Sequence, residues 1–201
     1  MAEDSIKMFV GIRIPTEISE SLESFRDTHF DNLEGIQWTA PSNLHITLRF
    51  LGPQTMQSAN MIAEGLANIS ASPVGITLTG GGVFEEAGVL FVNILPAPEL
   101  MQLQTSVDRV ARANGVPPSQ YWYTPHISVG HLREMLMEHT SPRNIFSQAA
   151  IQLDEFCQRS PLHHFLARDI SLFDSLRGCY RVRRSFRLDR HSAREKCDDD
   201  A

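Results

Sequence analysis

The sequence predicts an α+β fold with two pseudo-symmetric lobes, each an antiparallel-rich sheet with outer helices, and a central cleft between them. Three observations support this prediction. Strand-like and helical patterns alternate along the whole chain. The 201 residues, 42% of them hydrophobic, supply one substantial core and exclude a mainly disordered chain. A short histidine motif occurs twice, at His45 and His126, and each copy heads a predicted strand.

The first half of the chain contains most of the predicted elements. Residues 7–14 alternate between apolar and other side chains and predict a strand. A helix follows from Pro15, because Ile18, Leu22 and Phe25 recur at helical spacing. The glycines at 80–82 are not followed by the Lys-Ser/Thr of a phosphate-binding loop, and they predict a turn between strands. The same reasoning predicts strands at 44–51, 74–79 and 89–94 and helices at 57–69 and 99–113.

The second half predicts a strand after Pro125, within residues 121–132, and a helix at 142–156. Residues 166–173 and 180–188 predict a closing hairpin. Residues 189–201 lack apolar periodicity and carry three consecutive aspartates just before the final alanine, so they predict a disordered acidic tail. The predicted organisation is one bilobal domain over residues 1–188 followed by that tail.

Composition limits the partners and the compartment. Lys and Arg total 18 against 24 Asp and Glu, which gives a formal net charge of −6 and argues against binding long duplex nucleic acid. An RNA 3′ end or a small nucleotide remains compatible with a local site. No apolar run reaches the roughly 20 residues of a membrane span, and no signal peptide is evident. Three cysteines form neither an even disulfide set nor a close metal pair, so we expect a cytoplasmic monomer.

The repeated motif reads His45-Ile46-Thr47-Leu48 in its first copy and His126-Ile127-Ser128-Val129 in its second. Side chains two residues apart on a strand point to the same face. Each histidine therefore shares a face with a hydroxyl, while the aliphatic residues face the core. Two such strands related by an approximate two-fold axis would bring both histidines to one cleft.

Phosphodiester hydrolysis suits this set of side chains. Histidine titrates near neutral pH, so one imidazole can act as base while a protonated one acts as acid. The hydroxyls of Thr47 and Ser128 can donate hydrogen bonds to phosphate oxygens, where charge accumulates. This scheme requires no metal and no cofactor.

The paired motifs resemble those of the 2H phosphoesterase superfamily. The segment around the first motif is similar to the RNA 2′,3′-cyclic phosphodiesterases, long called 2′-5′ RNA ligases, and the resemblance covers roughly residues 6–188. Its supporting segments are WTAPSNLHITLRFLG at 38–52, MFVGIRIP at 8–15 and ISLFDS at 170–175.

The resemblance implies a 2H phosphoesterase-like fold and hydrolysis of a terminal 2′,3′-cyclic phosphate to a 2′-phosphate, with 2′-5′ ligation as the reverse activity. It implies that His45 is the proton donor to the leaving 3′ oxygen and that His126 is the proton acceptor that activates water. One departure stands out, because the family commonly has arginine where this chain has His131. That departure leaves the phosphate contact and the substrate range open.

Further phosphate contacts are expected from His131, Arg133 and Arg49, the last because strand alternation places it on the face of His45 and Thr47. Aromatic residues near the motifs are candidates for stacking on a nucleobase, against the alternative of packing in the core or at its rim. These are Trp38, Phe50 and Tyr123.

The pattern leaves four alternatives open. A zinc site at His45 and His126 would need a third ligand, for which His131 is the nearest candidate. A nucleophilic pair of Ser128 and His126 lacks a visible acid to orient the histidine. A related 2H enzyme could act on 2′-5′ oligoadenylate or a cyclic nucleotide metabolite. A non-catalytic module could bind AMP without turnover.

Overall fold

A computed structural model describes residues 5–30, 35–133, 142–160, 163–176 and 179–188. The predicted acidic tail, from residue 189 onward, lies outside these ranges. The strands are β1 (Ile6–Arg13), β2 (Ile36–Trp38), β3 (His45–Gln54), β4 (Val74–Phe84), β5 (Val89–Ile94), β6 (His126–Leu132), β7 (His164–Ala167), β8 (Asp169–Leu176) and β9 (Cys179–Arg187). The helices are α1 (Thr16–His29), α2 (Met56–Ala67), α3 (Pro98–Ala113) and α4 (Pro142–Arg159).

The strands form an antiparallel sheet that consists of two four-stranded halves. The order β7-β4-β5-β6-β3-β1-β8-β9 makes β3-β1-β8-β9 one half and β6-β5-β4-β7 the other, with β2 added beside β6. The halves meet where β3 pairs with β6, and the register there has Ile46 opposite Ile127. The prediction of an α+β fold with two related sheet regions is confirmed. The two halves are interleaved in sequence, because β8 and β9 return to the half that contains β1.

The helices cover one face of this sheet with regular apolar stripes. In α3, Leu100, Leu103 and Val107 are at most 2% exposed and join the core. Gly115, with φ of +83°, follows the end of α3 in the left-handed conformation that favours glycine. At α2, the Thr55 side chain accepts a hydrogen bond from the Ser58 backbone N–H and caps the helix. The motif strands are thereby supported from behind, which leaves the opposite face of β3 and β6 for polar side chains.

The predicted turn at residues 80–82 is wrong, because β4 continues through these glycines to Phe84. They serve close packing, since a Cβ on Gly81 would lie 2.8 Å from the Cα of Ala150 in α4. The Gly81 N–H also donates to Oδ1 of Asp154 at 2.8 Å. Glycine therefore lets α4 lie directly on the backbone of β4.

The first strand of the predicted closing hairpin, at residues 166–173, is in fact divided between two strands, β7 and β8. β7 pairs with β4, whereas β8 pairs with β1 and β9. The break falls at Arg168, whose carbonyl accepts a hydrogen bond from the Leu188 N–H. The chain thus crosses from one half of the sheet to the other within a few residues, and a local apolar pattern does not reveal that crossing. The short strand β2 was also not predicted.

Candidate active site

The two motifs lie at the junction of the halves, on either side of one residue pair. Ile46 and Ile127 are opposite each other in antiparallel register, and both are 0% exposed. That register places His45 across from Ser128, and His126 across from Thr47. Because neighbours of a buried strand residue point to the other face, the four polar side chains emerge together on the open face.

Both histidines are oriented by the same local hydrogen bond. Nδ1 of His45 donates to the Asn43 carbonyl at 2.7 Å, and Nδ1 of His126 donates to the Thr124 carbonyl at 2.7 Å. A neutral ring that donates through Nδ1 keeps a lone pair on Nε2, so Nε2 is the atom available for chemistry. Nε2 of His45 lies 3.0 Å from the Thr47 hydroxyl. The backbone therefore selects the same tautomer in both motifs.

Aromatic rings hold the His45 imidazole in place. Its centroid is 4.6 Å from the Phe9 ring, and Tyr180 meets it edge-on at 5.0 Å. Phe9 is itself stacked on Phe173 at 4.7 Å. These three residues come from β1, β8 and β9, so sequence reasoning missed them because it did not know the strand pairing.

A second aromatic pair supports His126. Phe84 and Phe91 are stacked with centroids 4.1 Å apart, and both meet the imidazole edge-on, at 4.9 and 5.3 Å. Gly82 makes this possible, since a Cβ there would lie 2.5 Å from the Phe91 ring. Each half of the sheet therefore packs its histidine against a pair of stacked phenyl rings.

Burial lowers the pKa of both histidines, and for His45 the charge of His126 acts in the same direction. Burial lowers the pKa of His45, and the nearby His126 lowers that pKa further, whereas the bond to Asn43 opposes both effects. Burial likewise lowers the pKa of His126 against the bond to Thr124. Both rings are thus held toward the neutral form near neutral pH. A phosphate anion between them would favour protonation of one ring, which is the state that acid–base catalysis needs.

Arg49 does not lie on the open face, so its predicted phosphate contact is corrected. The register of β3 shifts at Leu48, which leaves Thr47 opposite Gly11 but Arg49 opposite Val10. A bulge of this kind reverses the alternation of faces. The Arg49 side chain is 8% exposed, and its Nε lies 2.7 Å from Oδ1 of Asp108 in α3. Its guanidinium also donates to the Pro117 carbonyl.

The same irregularity occurs in β6. Phe91 lies opposite Ser128 while Leu90 lies opposite Gly130, so Val129 is the extra residue. Beyond the bulge His131 is exposed and Leu132 is buried, which returns His131 to the face of the histidine motif. His131 lies five residues after His126, and Phe50 lies five residues after His45. Phe50 therefore holds the position in β3 that His131 holds in β6. Arg133 follows the end of β6, where its backbone N–H donates to the Gly35 carbonyl.

The three stacking candidates have different surroundings. Trp38 stacks on Phe30 at 5.5 Å and packs beside Gly130, so its predicted base contact is corrected to a core contact. Tyr123 packs against the core, and burial raises the pKa of its hydroxyl. Phe50 is 65% exposed and lies 6.1 Å from the Phe9 ring. Among these candidates only Phe50 therefore offers an open aromatic face.

The described part of the chain lacks two other kinds of feature. No group of three or more His, Cys, Asp or Glu side chains there is placed to hold a metal ion. No helix there is long and apolar enough to cross a membrane.

Comparison with known proteins adds sequence and fold relationships. Residues 12–91 match the family model described as LigT like Phosphoesterase. A curated RNA 2′,3′-cyclic phosphodiesterase of Archaeoglobus fulgidus is 26% identical over 131 residues, which are 64% of this chain and 73% of the relative. Its Escherichia coli counterpart is 28% identical over 124 residues, which are 61% of this chain and 70% of that relative. The crystal structure of E. coli LigT with 3′-AMP matches with a TM-score of 0.73 and 22% identity, covering 92% of this chain and 98% of the other.

The antiparallel sheet, with a His-x-Thr/Ser motif on each of the paired strands β3 and β6, has the fold of E. coli LigT. The family match and the curated relatives are more specific than the fold. Over residues 12–91 the chain is similar to the LigT-like phosphoesterases, and the curated relatives that it resembles are RNA 2′,3′-cyclic phosphodiesterases.

Proposed function

We propose that this protein hydrolyses the 2′,3′-cyclic phosphate at an RNA 3′ end and leaves a 2′-phosphate. The observation that carries the proposal is the arrangement of His45, Thr47, His126 and Ser128 on one open face around the Ile46–Ile127 pair. It offers two imidazole Nε2 atoms and two hydroxyls to one phosphate. The curated relatives named RNA 2′,3′-cyclic phosphodiesterase support this choice of substrate.

The two histidines have opposite roles in the proposed reaction. Nε2 of His126 takes a proton from water as the water oxygen bonds to phosphorus. The bond from phosphorus to the 3′ oxygen breaks, and His45 gives its Nε2 proton to that oxygen. His126 ends protonated and His45 neutral, so proton exchange with solvent resets the pair. The assignment of donor and acceptor follows the family pattern, because both rings have the same backbone hydrogen bond.

The hydroxyls bind the phosphate in this scheme. Thr47 and Ser128 donate to the non-bridging oxygens, which gain charge as water adds. The Thr47 hydroxyl is already within 3.0 Å of Nε2 of His45, so a phosphate oxygen bound to Thr47 is close to the proposed acid. Phe50 offers its exposed ring to the terminal base. If the 5′-hydroxyl of a second RNA takes the place of water, its oxygen bonds to phosphorus, the same bond to the 3′ oxygen breaks, and a 2′-5′ linkage forms at the same site.

The proposed partners are RNA 3′ ends and small nucleotides, bound by a cytoplasmic monomer without a cofactor. E. coli LigT, which shares the fold, has been crystallised with 3′-AMP and with ATP. We expect corresponding nucleotides to compete with RNA at the present site.

The test is incubation of a labelled RNA that ends in a 2′,3′-cyclic phosphate with the protein in EDTA. We expect conversion to a product whose phosphate is on the 2′ oxygen, identified against synthetic 2′- and 3′-phosphate standards. A 3′-phosphate product would contradict the proposed leaving group, and absence of conversion would contradict the activity.

A related 2H activity on another substrate is the second candidate, and His131 is the observation that favours it. The imidazole lies where the family commonly has arginine, and partial burial of the ring lowers its pKa, so it offers less positive charge than arginine at neutral pH. We expect His131→Arg to lower KM for the RNA cyclic phosphate severalfold with little change in kcat, and His131→Ala to raise KM. Steady-state kinetics on RNA, 2′-5′ oligoadenylate and cyclic nucleotides measure this. A KM for RNA that is the same in all three proteins would show that position 131 does not contact the substrate.

A further inference from the structure

The charges on the sheet are confined to one half. Every Lys, Arg, Asp and Glu in the strands described above belongs to β1, β3, β8 or β9, whereas β2, β4, β5, β6 and β7 contain none. The charged half is strongly basic although the chain as a whole carries −6. Its charged residues are Lys7, Arg13, Arg49, Asp169, Asp174, Arg181, Arg183, Arg184 and Arg187.

The outermost strand of that half, β9, carries the highest density of positive charge. β9 is last in the strand order and contains four arginines and no acidic residue. Asp174 is 0% exposed and accepts from Nη2 of Arg181 at 2.9 Å and from Nε of Arg183 at 2.8 Å. Within the β8–β9 pair, the two carboxylates of Asp169 and Asp174 lie against four guanidinium groups, so positive charge is in excess at this edge. The Arg184 guanidinium lies over the Phe186 ring at 5.3 Å.

This edge begins at the active site. The ring of Tyr180, near the start of β9, is 5.0 Å from His45. The Tyr180 backbone N–H donates to Oδ1 of Asn43 at 3.3 Å, and the carbonyl of Asn43 accepts the Nδ1 bond from His45. A polyanion whose end is bound at His45 can thus continue along β9 without crossing the uncharged half.

We infer that β9 binds the backbone phosphates of the single-stranded RNA that precedes the terminal cyclic phosphate. The inference rests on the proposed function and extends it from a mononucleotide site to a site for an RNA strand. Guanidinium groups form forked hydrogen bonds with phosphate, which lysine does not reproduce, and all four cations of β9 are arginines. Alternation places Arg184 on the face of Phe186 and Arg187 on the other face. Because β9 is the outermost strand of the described sheet, no further strand separates either side chain from an RNA that runs beside this edge.

Charged side chains on an edge strand also prevent pairing with other sheets, and that role alone requires no RNA contact. The two explanations predict different RNA affinities. The test therefore compares Arg184→Gln/Arg187→Gln with the matched control Arg109→Gln/Arg112→Gln, which removes the same charge from exposed positions of α3.

Affinity is measured by fluorescence anisotropy with stable 2′-phosphate ligands, a labelled mononucleotide and a single strand of about ten nucleotides, over a range of salt concentrations. Each lost phosphate contact lowers the slope of log K against log salt by about 0.7 for single strands, so we expect the β9 variant to lose about 1.4. We expect its affinity for the long strand to fall about tenfold at low salt. Mononucleotide binding and the α3 control should match the wild type.

The role of β9 in RNA binding would be overturned if the β9 variant lost affinity equally for the mononucleotide and the long strand. An unchanged salt slope of the β9 variant together with increased aggregation would overturn it as well. Turnover of the cyclic phosphate is measured in parallel on the same proteins. Arginine-dependent binding without turnover would support the RNA surface while overturning the proposed hydrolysis. Turnover without arginine-dependent binding would overturn the RNA surface alone.

Discussion

Replacement of His126 by alanine is expected to lower kcat/KM for a 2′,3′-cyclic phosphate end by about 10² to 10⁴-fold, the usual contribution of a general acid or base. His45→Ala should cause a loss of similar size. Nε2 of each ring is the atom that the local hydrogen bonds leave for proton transfer. The measurement is initial rate with purified variants in EDTA. Because the two rings act as a unit, the double variant should lose much less than the product of the single losses.

The matched control for both variants is His163→Ala. His163 is exposed, and its Nδ1 donates to the Ser160 carbonyl at 2.8 Å, far along the chain from either motif. The control should retain wild-type activity. Full activity in either His45→Ala or His126→Ala would show that the imidazole pair does not carry the reaction.

Ile127→Ala is expected to destabilise the fold by about 2–5 kcal/mol, the usual cost of emptying a buried isoleucine site. Ile127 is 0% exposed and lies opposite Ile46 where the two halves of the sheet meet. The measurement is urea-induced unfolding followed by circular dichroism. Ile151 on α4 is 53% exposed, so Ile151→Ala should change the free energy of unfolding by about 0.5 kcal/mol or less. Equal stability of the two variants would contradict the position of Ile127 in the core.

The catalytic face of the motifs could be predicted from sequence, and the faces of the residues that follow could not. Alternation correctly grouped His45 with Thr47, and Ile46 with the core. The same rule failed for Arg49, because the bulge at Leu48 reverses the alternation. A bulge depends on how two strands pair, which a single strand's pattern does not contain.

The surroundings of the histidines were also beyond sequence reasoning. Phe9 and Phe173 reach His45 from strands that are distant in the chain, and the topology alone brings them together. The glycines at 80–82 have turn-forming composition, yet the approach of α4 places them inside a strand. Tertiary packing overrides local preference at such positions.

The dependence of kcat/KM on pH tests the central claim that one histidine must be neutral and the other protonated. Because the pKa values of His45 and His126 are both lowered, we predict a bell-shaped profile with its maximum below about pH 6.5, the ordinary value for histidine. On the acidic limb, kcat/KM falls as the pH decreases because His126 becomes protonated and can no longer act as a base. His126→Ala should therefore lack that limb. On the alkaline limb, kcat/KM falls as the pH rises because His45 loses the proton that it must donate. His45→Ala should therefore lack the alkaline limb. A wild-type profile without two limbs, or loss of the same limb in both variants, would contradict the account.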